Sequence, residues 1–347
     1  GYTATAQHRW CLEGFTQLLC NEQPQSGLAW CRAATGLVAG GIFARRISKT
    51  QVFKGRRCRT QAVSVDNGIE RCTSEEIEGK GIGMIANVDL SPGDLLLAET
   101  PQLMFEADSD QSLLRVKKDF AKLPVELQGE IMELQDAWSS PGRRTLRGIV
   151  ETNGIECETP GLEPNARAVC LKLSRFNHSC NANCDYSWNQ QTKCMEVYAQ
   201  TAVFAGEELT ISYIDVREPR TVRRQMLEDN WQFRCRCGVC VLRNHETSDK
   251  RRLRMGELSA LMYASRNSVR TLRIAKKLLK LYKDEDFFMR SYKMEACKFG
   301  YKAALELNDV DHAPRFADLG LRSALICHGR QHHTTKEWMD AAETWTS

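Results

Sequence analysis

Short apolar runs broken by Gly- and Pro-containing turns fill residues 69–107 and 153–215, whereas 108–150 and everything beyond Asn244 carry helical spacing. Ile82, Met84 and Ile85 sit around Gly81 and Gly83, and Ser91-Pro92-Gly93-Asp94 leads into Leu95-Leu96-Leu97. This pattern predicts two short strands joined through a tight turn. Leu127, Ile131, Leu134 and Trp138 recur at steps of four, three and four, which predicts a helix. Pro124 suits its first turn and Ser139-Ser140-Pro141-Gly142 should stop it. Tyr186 and Trp188 alternate before Asn189-Gln190-Gln191, and Met195, Val197 and Ala199 alternate after it, the signature of a hairpin. Gly206 introduces a further strand, Leu209 to Tyr213. In the last third, Tyr292, Ala296, Phe299, Ala303 and Leu307 form one helical stripe and Phe316, Leu319, Ser323 and Ile326 another. Residues 308–313 join them, and Pro314 stands where a new helix would start. That reads as an αα-hairpin of the kind stacked in helical repeats.

The expected fold class is therefore α+β: an irregular β-rich core with a helical insert at about 108–150, followed by a C-terminal α-helical domain over 244–347. Length allows this, since 347 residues are too many for one small core. Charge changes the picture only at the N-terminus. Residues 1–60 hold nine Lys or Arg against Glu13 and Glu22, while the remainder carries 39 basic and 42 acidic residues. The body is not a basic protein, so direct nucleic-acid binding would rest on the arm's composition alone. Residues 1–68 read as a basic tail, disordered or targeting; a transit peptide, a disordered arm and non-native sequence fit equally well. The chain starts at Gly1 without an initiator Met, as a fragment would. No run of about 18 uncharged apolar residues exists, so no membrane-spanning helix is expected.

Fifteen cysteines would suggest a disulfide scaffold, but the number is odd and three crowd into Cys235-Arg-Cys237-Gly-Val-Cys240. A reducing compartment with a thiolate metal site fits better. Two other segments carry candidate chemistry: Arg175-Phe176-Asn177-His178-Ser179-Cys180, and Gly206-Glu207-Glu208-Leu209-Thr210-Ile211-Ser212-Tyr213. Each alone has an ordinary explanation: a turn, a core strand ending in Tyr, a lone C-x-C.

In this order and spacing, the three segments resemble the SET-domain protein lysine methyltransferases, with Lys80-Gly81-Ile82-Gly83-Met84-Ile85-Ala86 similar to the family's opening G-x-G motif. The resemblance covers roughly residues 69–243. It is nearest to the SET-and-MYND branch and to fungal SET proteins that lack a MYND finger but carry a helical tail. It implies a SET domain over 69–230, a zinc-bound post-SET segment over 231–243, and S-adenosylmethionine-dependent methyl transfer to the side-chain amine of a protein lysine. Partners implied are a histone tail or a non-histone protein bearing the target lysine, and the implied compartment is the nucleus or cytoplasm. A catalytically weak SET scaffold acting as an interaction module is the alternative.

By resemblance, Lys80, Gly81, Ile82 and Gly83 approach the cofactor, Asn177 and His178 contact its amino group and adenine, and Phe233 packs on the adenine. Asn153 of Thr152-Asn153-Gly154 is a further polar contact, although T-N-G is also a good turn. Tyr213 is the expected catalytic residue, lying beside the transferring methyl; with a phenol pKa near ~10 it suits an orienting group better than a base. The implied zinc, about one per chain, takes Cys235, Cys237, Cys240 and, as fourth ligand, Cys180, with Cys184 and His245 as alternatives. Ten other cysteines (Cys11, Cys20, Cys31, Cys58, Cys72, Cys157, Cys170, Cys194, Cys297 and Cys327) lack ligand spacing. Trp231 departs from the pattern, standing where SET-and-MYND relatives carry a channel tyrosine: it keeps an aromatic wall and loses the hydroxyl, which leaves product multiplicity open. Ala182 replaces a common proline, and the spacing of Cys11, Cys20 and Cys31 does not make a MYND finger.

Overall fold

Small sheets of three or four strands carry the first half of the chain and helices the second. The structure is a computed structural model that describes residues 61–62, 70–106, 110–140, 142–157 and 166–345. Strands β1 (Gln61–Ala62), β4 (Leu95–Glu99), β10 (Cys194–Ala199) and β9 (Cys184–Asn189) form one sheet in that order. A second sheet runs β2 (Cys72–Ile77), β3 (Gly81–Ala86), β11 (Glu208–Ile211), β8 (Asn177–His178). The third is β5 (Leu103–Glu106), β7 (Ala166–Val169), β6 (Ile155–Glu156). Most of the basic tail, with Cys11, Cys20, Cys31 and Cys58, lies outside the described residues; Gln61–Ala62 is the exception, paired with Ala98 and Leu97.

The hairpin forms where alternation places it. Trp188, Met195 and Val197 are buried in one cluster, and Asn189 Oδ1 closes the turn by accepting from the Gln191 and Thr192 N–H groups. The two strands expected to flank Ser91–Asp94 both form, but in different sheets. Each edge of β3 is already paired, with β2 and β11, so Gly93 (φ 92°) and the Asp94 N–H to Ser91 carbonyl bond swing the chain across to β10. The final strand stops at Ile211, two residues before Tyr213.

In the insert, α1 (Asp110–Phe120), α2 (Val125–Met132) and α3 (Leu146–Asn153) surround Val116, Ile131, Leu134, Ile149 and Val150. The helix expected to reach Trp138 ends at Met132. Buried Asp136 takes over from there, accepting from Trp138 N (3.0 Å), Ser139 Oγ (2.6 Å), Thr145 N (2.8 Å) and Thr145 Oγ1 (3.1 Å). Burial alone would raise the Asp136 pKa, but these bonds outweigh it and hold the carboxyl below its usual range. Trp138 is left 53% exposed.

Beyond α4 (Arg220–Trp231) and the short α5 (Gly238–Val241) come α6 (His245–Ala264), α7 (Ser268–Asp284), α8 (Arg290–Glu306), α9 (Ala313–His328) and α10 (His333–Glu343), each packed on the next. The two stripes became α8 and α9, with Pro314 in the first turn of α9. These helices do not hang from the β-core as an appendage. Met255, Leu258, Leu278 and Phe287 share one apolar cluster with Cys180, Cys235 and Cys240. Fully buried Arg252 pins the junction, donating to the carbonyls of Cys180 (3.0 Å) and Val216 (2.6 Å) while paired with Glu285 (2.9 Å). None of the helices among the described residues is long and apolar enough to cross a membrane.

Delivery of Asn177 to its place depends on Glu99. This side chain is fully buried at the end of β4 and accepts the N–H groups of Lys172 (3.0 Å) and Leu173 (2.9 Å), which the following 3-10 turn, Leu173–Arg175, leaves without backbone partners. Burial pushes the Glu99 carboxyl up, against the pull of those N–H donors. Glu99→Ala should orphan both donors and cost about 2–4 kcal/mol, with Glu99→Gln costing roughly half as much. Denaturant midpoints measure this; a loss under about 0.5 kcal/mol in Glu99→Ala would show that the turn forms without it.

Candidate active site

Four sulfurs meet where β8 ends. Cys180 Sγ lies 4.0 Å from Cys235 Sγ and 3.6 Å from Cys240 Sγ, and the four atoms of Cys180, Cys235, Cys237 and Cys240 all fall within 4.8 Å of one another. A disulfide needs ~2.05 Å, whereas Zn–S bonds of ~2.3 Å set the edges of a tetrahedron at ~3.8 Å. The donor set therefore fits a closed tetrahedral ion of the zinc type. Cys184 sits elsewhere, paired across from Ala199 in the hairpin, and His245 Nε2 faces Arg220 at 2.8 Å. Among the described residues no other group of His, Cys, Asp or Glu converges in this way.

Four thiolates around a divalent ion leave a net charge of about −2, which must be offset in a dry interior. Arg223 does this. Its guanidinium is fully buried, 3.8 Å from Cys240 Sγ, with Asp249 at 3.7 Å and the Glu218 carbonyl as further partners. The backbone N–H groups of Cys180 and Cys237 also point at sulfurs, at 3.4 and 3.5 Å. In the sequence Arg223 reads as one more surface charge on a polar helix; only burial reveals it.

His178 joins this cluster to Tyr213. Its Nδ1 accepts the Tyr213 N–H at 3.1 Å and its Nε2 lies 3.3 Å from Cys180 Sγ. Burial pushes its pKa down to about 3, so the ring is neutral; with Nδ1 accepting, the single proton sits on Nε2 and points at the sulfur. Both nitrogens are spent inside the protein, although the residue lines the cleft.

Tyr213 is boxed by aromatic rings, with centroids at 5.2 Å to Trp231, 5.4 Å to His178 and 6.4 Å, edge-on, to Phe233. Trp231 and Phe233 converge on it because Gln232 between them adopts a left-handed conformation (φ 57°), which reverses the chain at the end of α4. The Trp231 indole N–H donates to the Thr152 carbonyl at 3.0 Å, so the ring also ties α4 to the insert. The Tyr213 hydroxyl donates to the Phe176 carbonyl at 2.7 Å. Burial, and secondarily the charge of Glu208, push the Tyr213 phenol well up, so it stays protonated.

These residues line one open cleft of about 2380 Å³, which runs from Lys80, Gly81 and Ile82 past Asn177 and Tyr213 to Trp231. S-adenosylmethionine would need close main-chain approach and polar partners there, and two observations fit it. Gly81 has φ 73° and open space where a side chain would begin; at Gly83 a Cβ would fall 2.6 Å from Asn177 Nδ2, so the glycine leaves that side chain its place. Asn153 is different. It is the last residue of α3, and its amide already donates to the carbonyls of Gln135 (2.7 Å) and Ile149 (2.8 Å). Sequence reasoning missed Asn183, which holds Thr210 N (2.8 Å) and the Glu208 carbonyl (2.9 Å) and so fixes β11.

Comparison with known proteins agrees with this geometry. Residues 81–214 match the family model for the SET domain. The chain thus carries a SET domain, joined to the four-cysteine segment and the helical region. Over 184 residues it is 29% identical to histone-lysine N-methyltransferase set5 of Schizosaccharomyces pombe, covering 51% of this chain and 53% of that protein. Over 138 residues it is 29% identical to N-lysine methyltransferase SMYD2-B of Danio rerio, covering 38% of this chain and 31% of the relative. The chain thus spans about half, or less, of the length of these relatives. A solved structure, the Neurospora SET domain protein DIM-5, a histone lysine methyltransferase, is 12% identical, covering 41% of this chain and 52% of that one. Its TM-score of 0.24 supports no conclusion.

Elemental analysis of the purified protein is expected to give about one zinc per chain. Cys240→Ser should lower that figure and Cys184→Ala should leave it unchanged. Full zinc content in Cys180→Ser would contradict the ligand set drawn from the sulfur positions.

Proposed function

We propose that this protein transfers a methyl group from S-adenosylmethionine to the side-chain amine of a lysine in another protein. The observation that carries this reading is the Tyr213 hydroxyl: it lies in the cleft, ringed by Trp231, Phe233 and His178, with its proton committed to the Phe176 carbonyl. The family match over 81–214 and the methyltransferase names of the relatives support it.

The cofactor supplies an electrophilic methyl on a sulfonium, which the amine nitrogen displaces to leave a thioether. What the chain must do is bind, align and dehydrate. Asn177, Lys80 and the backbone at Gly81 and Gly83 would hold the cofactor, with Phe233 as an apolar wall. Lysine enters protonated, since its free pKa is near ~10.4, and must lose a proton before its lone pair can attack. Tyr213 cannot take that proton at neutral pH, because it is itself held protonated; the open cleft lets the proton pass to water. With its own hydrogen given to Phe176, the phenol oxygen presents lone pairs that accept an amine N–H and aim the nitrogen. Trp231, fixed by its bond to Thr152, would form the wall of the lysine channel and favour the aliphatic stem and cationic end of the arriving side chain. Cys180 Sγ stands 3.6 Å from Cys240 Sγ and 4.0 Å from Cys235 Sγ, a thiolate cluster in keeping with a reducing compartment such as nucleus or cytoplasm.

The test is incubation with labelled S-adenosylmethionine and a panel of histones and cell-extract proteins, followed by mapping of the labelled side chains. Label on lysine is expected, and Tyr213→Phe should lower turnover by roughly 100-fold or more while leaving cofactor affinity within a few-fold. No transfer to any lysine with a cofactor-bound, zinc-loaded protein would contradict the reading, and a near-normal rate in Tyr213→Phe would remove the hydroxyl from it.

A further inference from the structure

The G-E-E segment leads into β11 with two glutamates, and they do different things. Glu207 closes the preceding turn, accepting the Phe204 N–H at 2.9 Å. Glu208 stands behind two residues that line the cleft. Its Oε1 accepts from Asn177 Nδ2 at 3.0 Å and its Oε2 pairs with the Lys80 ammonium, so one carboxylate serves both residues. The topology makes this possible: β11 lies between β3 and β8, with Glu208 in register with Ile85 on one side and Thr210 in register with Asn177 on the other.

An exposed Lys–Glu pair alone would be ordinary surface chemistry of little energetic weight. The Asn177 bond is what gives it a consequence. A carboxylate can only accept, so the end of the Asn177 amide that faces Glu208 must be the NH2, and the end left for a ligand is Oδ1, an acceptor. Gly83 leaves the room for this arrangement, because a Cβ there would crowd both Asn177 Nδ2 and Ile77 Cδ1. Lys80 is drawn to the same carboxylate and remains 46% exposed at the cleft, with donors to spare. An acceptor oxygen and an ammonium therefore stand side by side, the reverse image of the ammonium and carboxylate of an α-amino acid.

We propose that Glu208 is a positioning residue that fixes Asn177 and Lys80 as the receptor for the zwitterionic amino-acid end of the cofactor. It acts through those two residues and touches neither the methyl group nor the acceptor lysine. This rests on the methyl-transfer reading above.

Calorimetric titration of the zinc-loaded full chain with two ligands separates this role from general support of the fold. S-adenosylhomocysteine carries the amino-acid end; 5′-methylthioadenosine has the same adenosine and thioether without it. Glu208→Ala should weaken S-adenosylhomocysteine by about tenfold, the scale of one charge-assisted hydrogen bond, and 5′-methylthioadenosine by less than about twofold. Glu208→Gln, which keeps the volume and one acceptor, should fall between wild type and Glu208→Ala, and it carries the test if the alanine variant does not fold. Adding Glu208→Ala to Asn177→Ala should weaken S-adenosylhomocysteine less than the single change does, because the two act as a unit. Equal weakening of both ligands, or no weakening of either, overturns the positioning role while leaving methyl transfer intact. Failure of the unmodified protein to bind either ligand overturns both.

Discussion

Asn177 and His178 pair in parallel with Thr210 and Ile211 over only two residues, too short a ladder to persist unaided. It is held from three sides. Glu99 fixes the turn that leads into it, Asn183 clasps β11 at Thr210 and Glu208, and Cys180, two residues past His178, is anchored among the other sulfurs. The placement of Asn177, His178 and Tyr213 hangs on this pairing. Asn177 faces the cleft from one side of it, and the Tyr213 backbone is held to His178 on the other.

The four-cysteine cluster and the cleft are therefore parts of one unit. His178 bonds to a cluster sulfur and to the Tyr213 amide with the same ring. The chain that leaves α4 toward Cys235 also delivers Trp231 and Phe233 against Tyr213. Arg223 and Arg252 extend the unit outward, one offsetting the charge of the sulfurs and the other bonding the Cys180 carbonyl to α6. The helical region thus buttresses the site through its back wall, and its apolar cluster includes three of the four cysteines.

Much of this was legible in the sequence, for local reasons. Alternation around Asn189 and the stripes of α8 and α9 are read from neighbours a few residues apart, and the three ordered motifs brought Cys180 forward as the fourth sulfur. Other features depend on distant partners. The helix toward Trp138 stops early because Asp136 finds Thr145, and the strands either side of Ser91–Asp94 part because β3 is already paired on both edges. Glu99, Asn183, Glu208 and Arg223 resemble surface residues until burial and their partners far along the chain are seen. His178 and Asn153 were legible as polar residues of the cleft, but not as side chains whose nitrogens are spent on the protein itself.

Coupling between cluster and tyrosine can be measured directly by hydrogen exchange with residue-level readout, before and after removal of metal by a chelator. Protection of the Tyr213 amide, bonded to His178 Nδ1, and of the Ser179 amide, bonded to the Ile211 carbonyl, should fall together with that of residues 235–240. Amides of the β9–β10 hairpin should keep theirs. Free exchange of the cysteine loop with undiminished protection at Tyr213 would contradict the claim that the sulfur cluster holds Tyr213 in place.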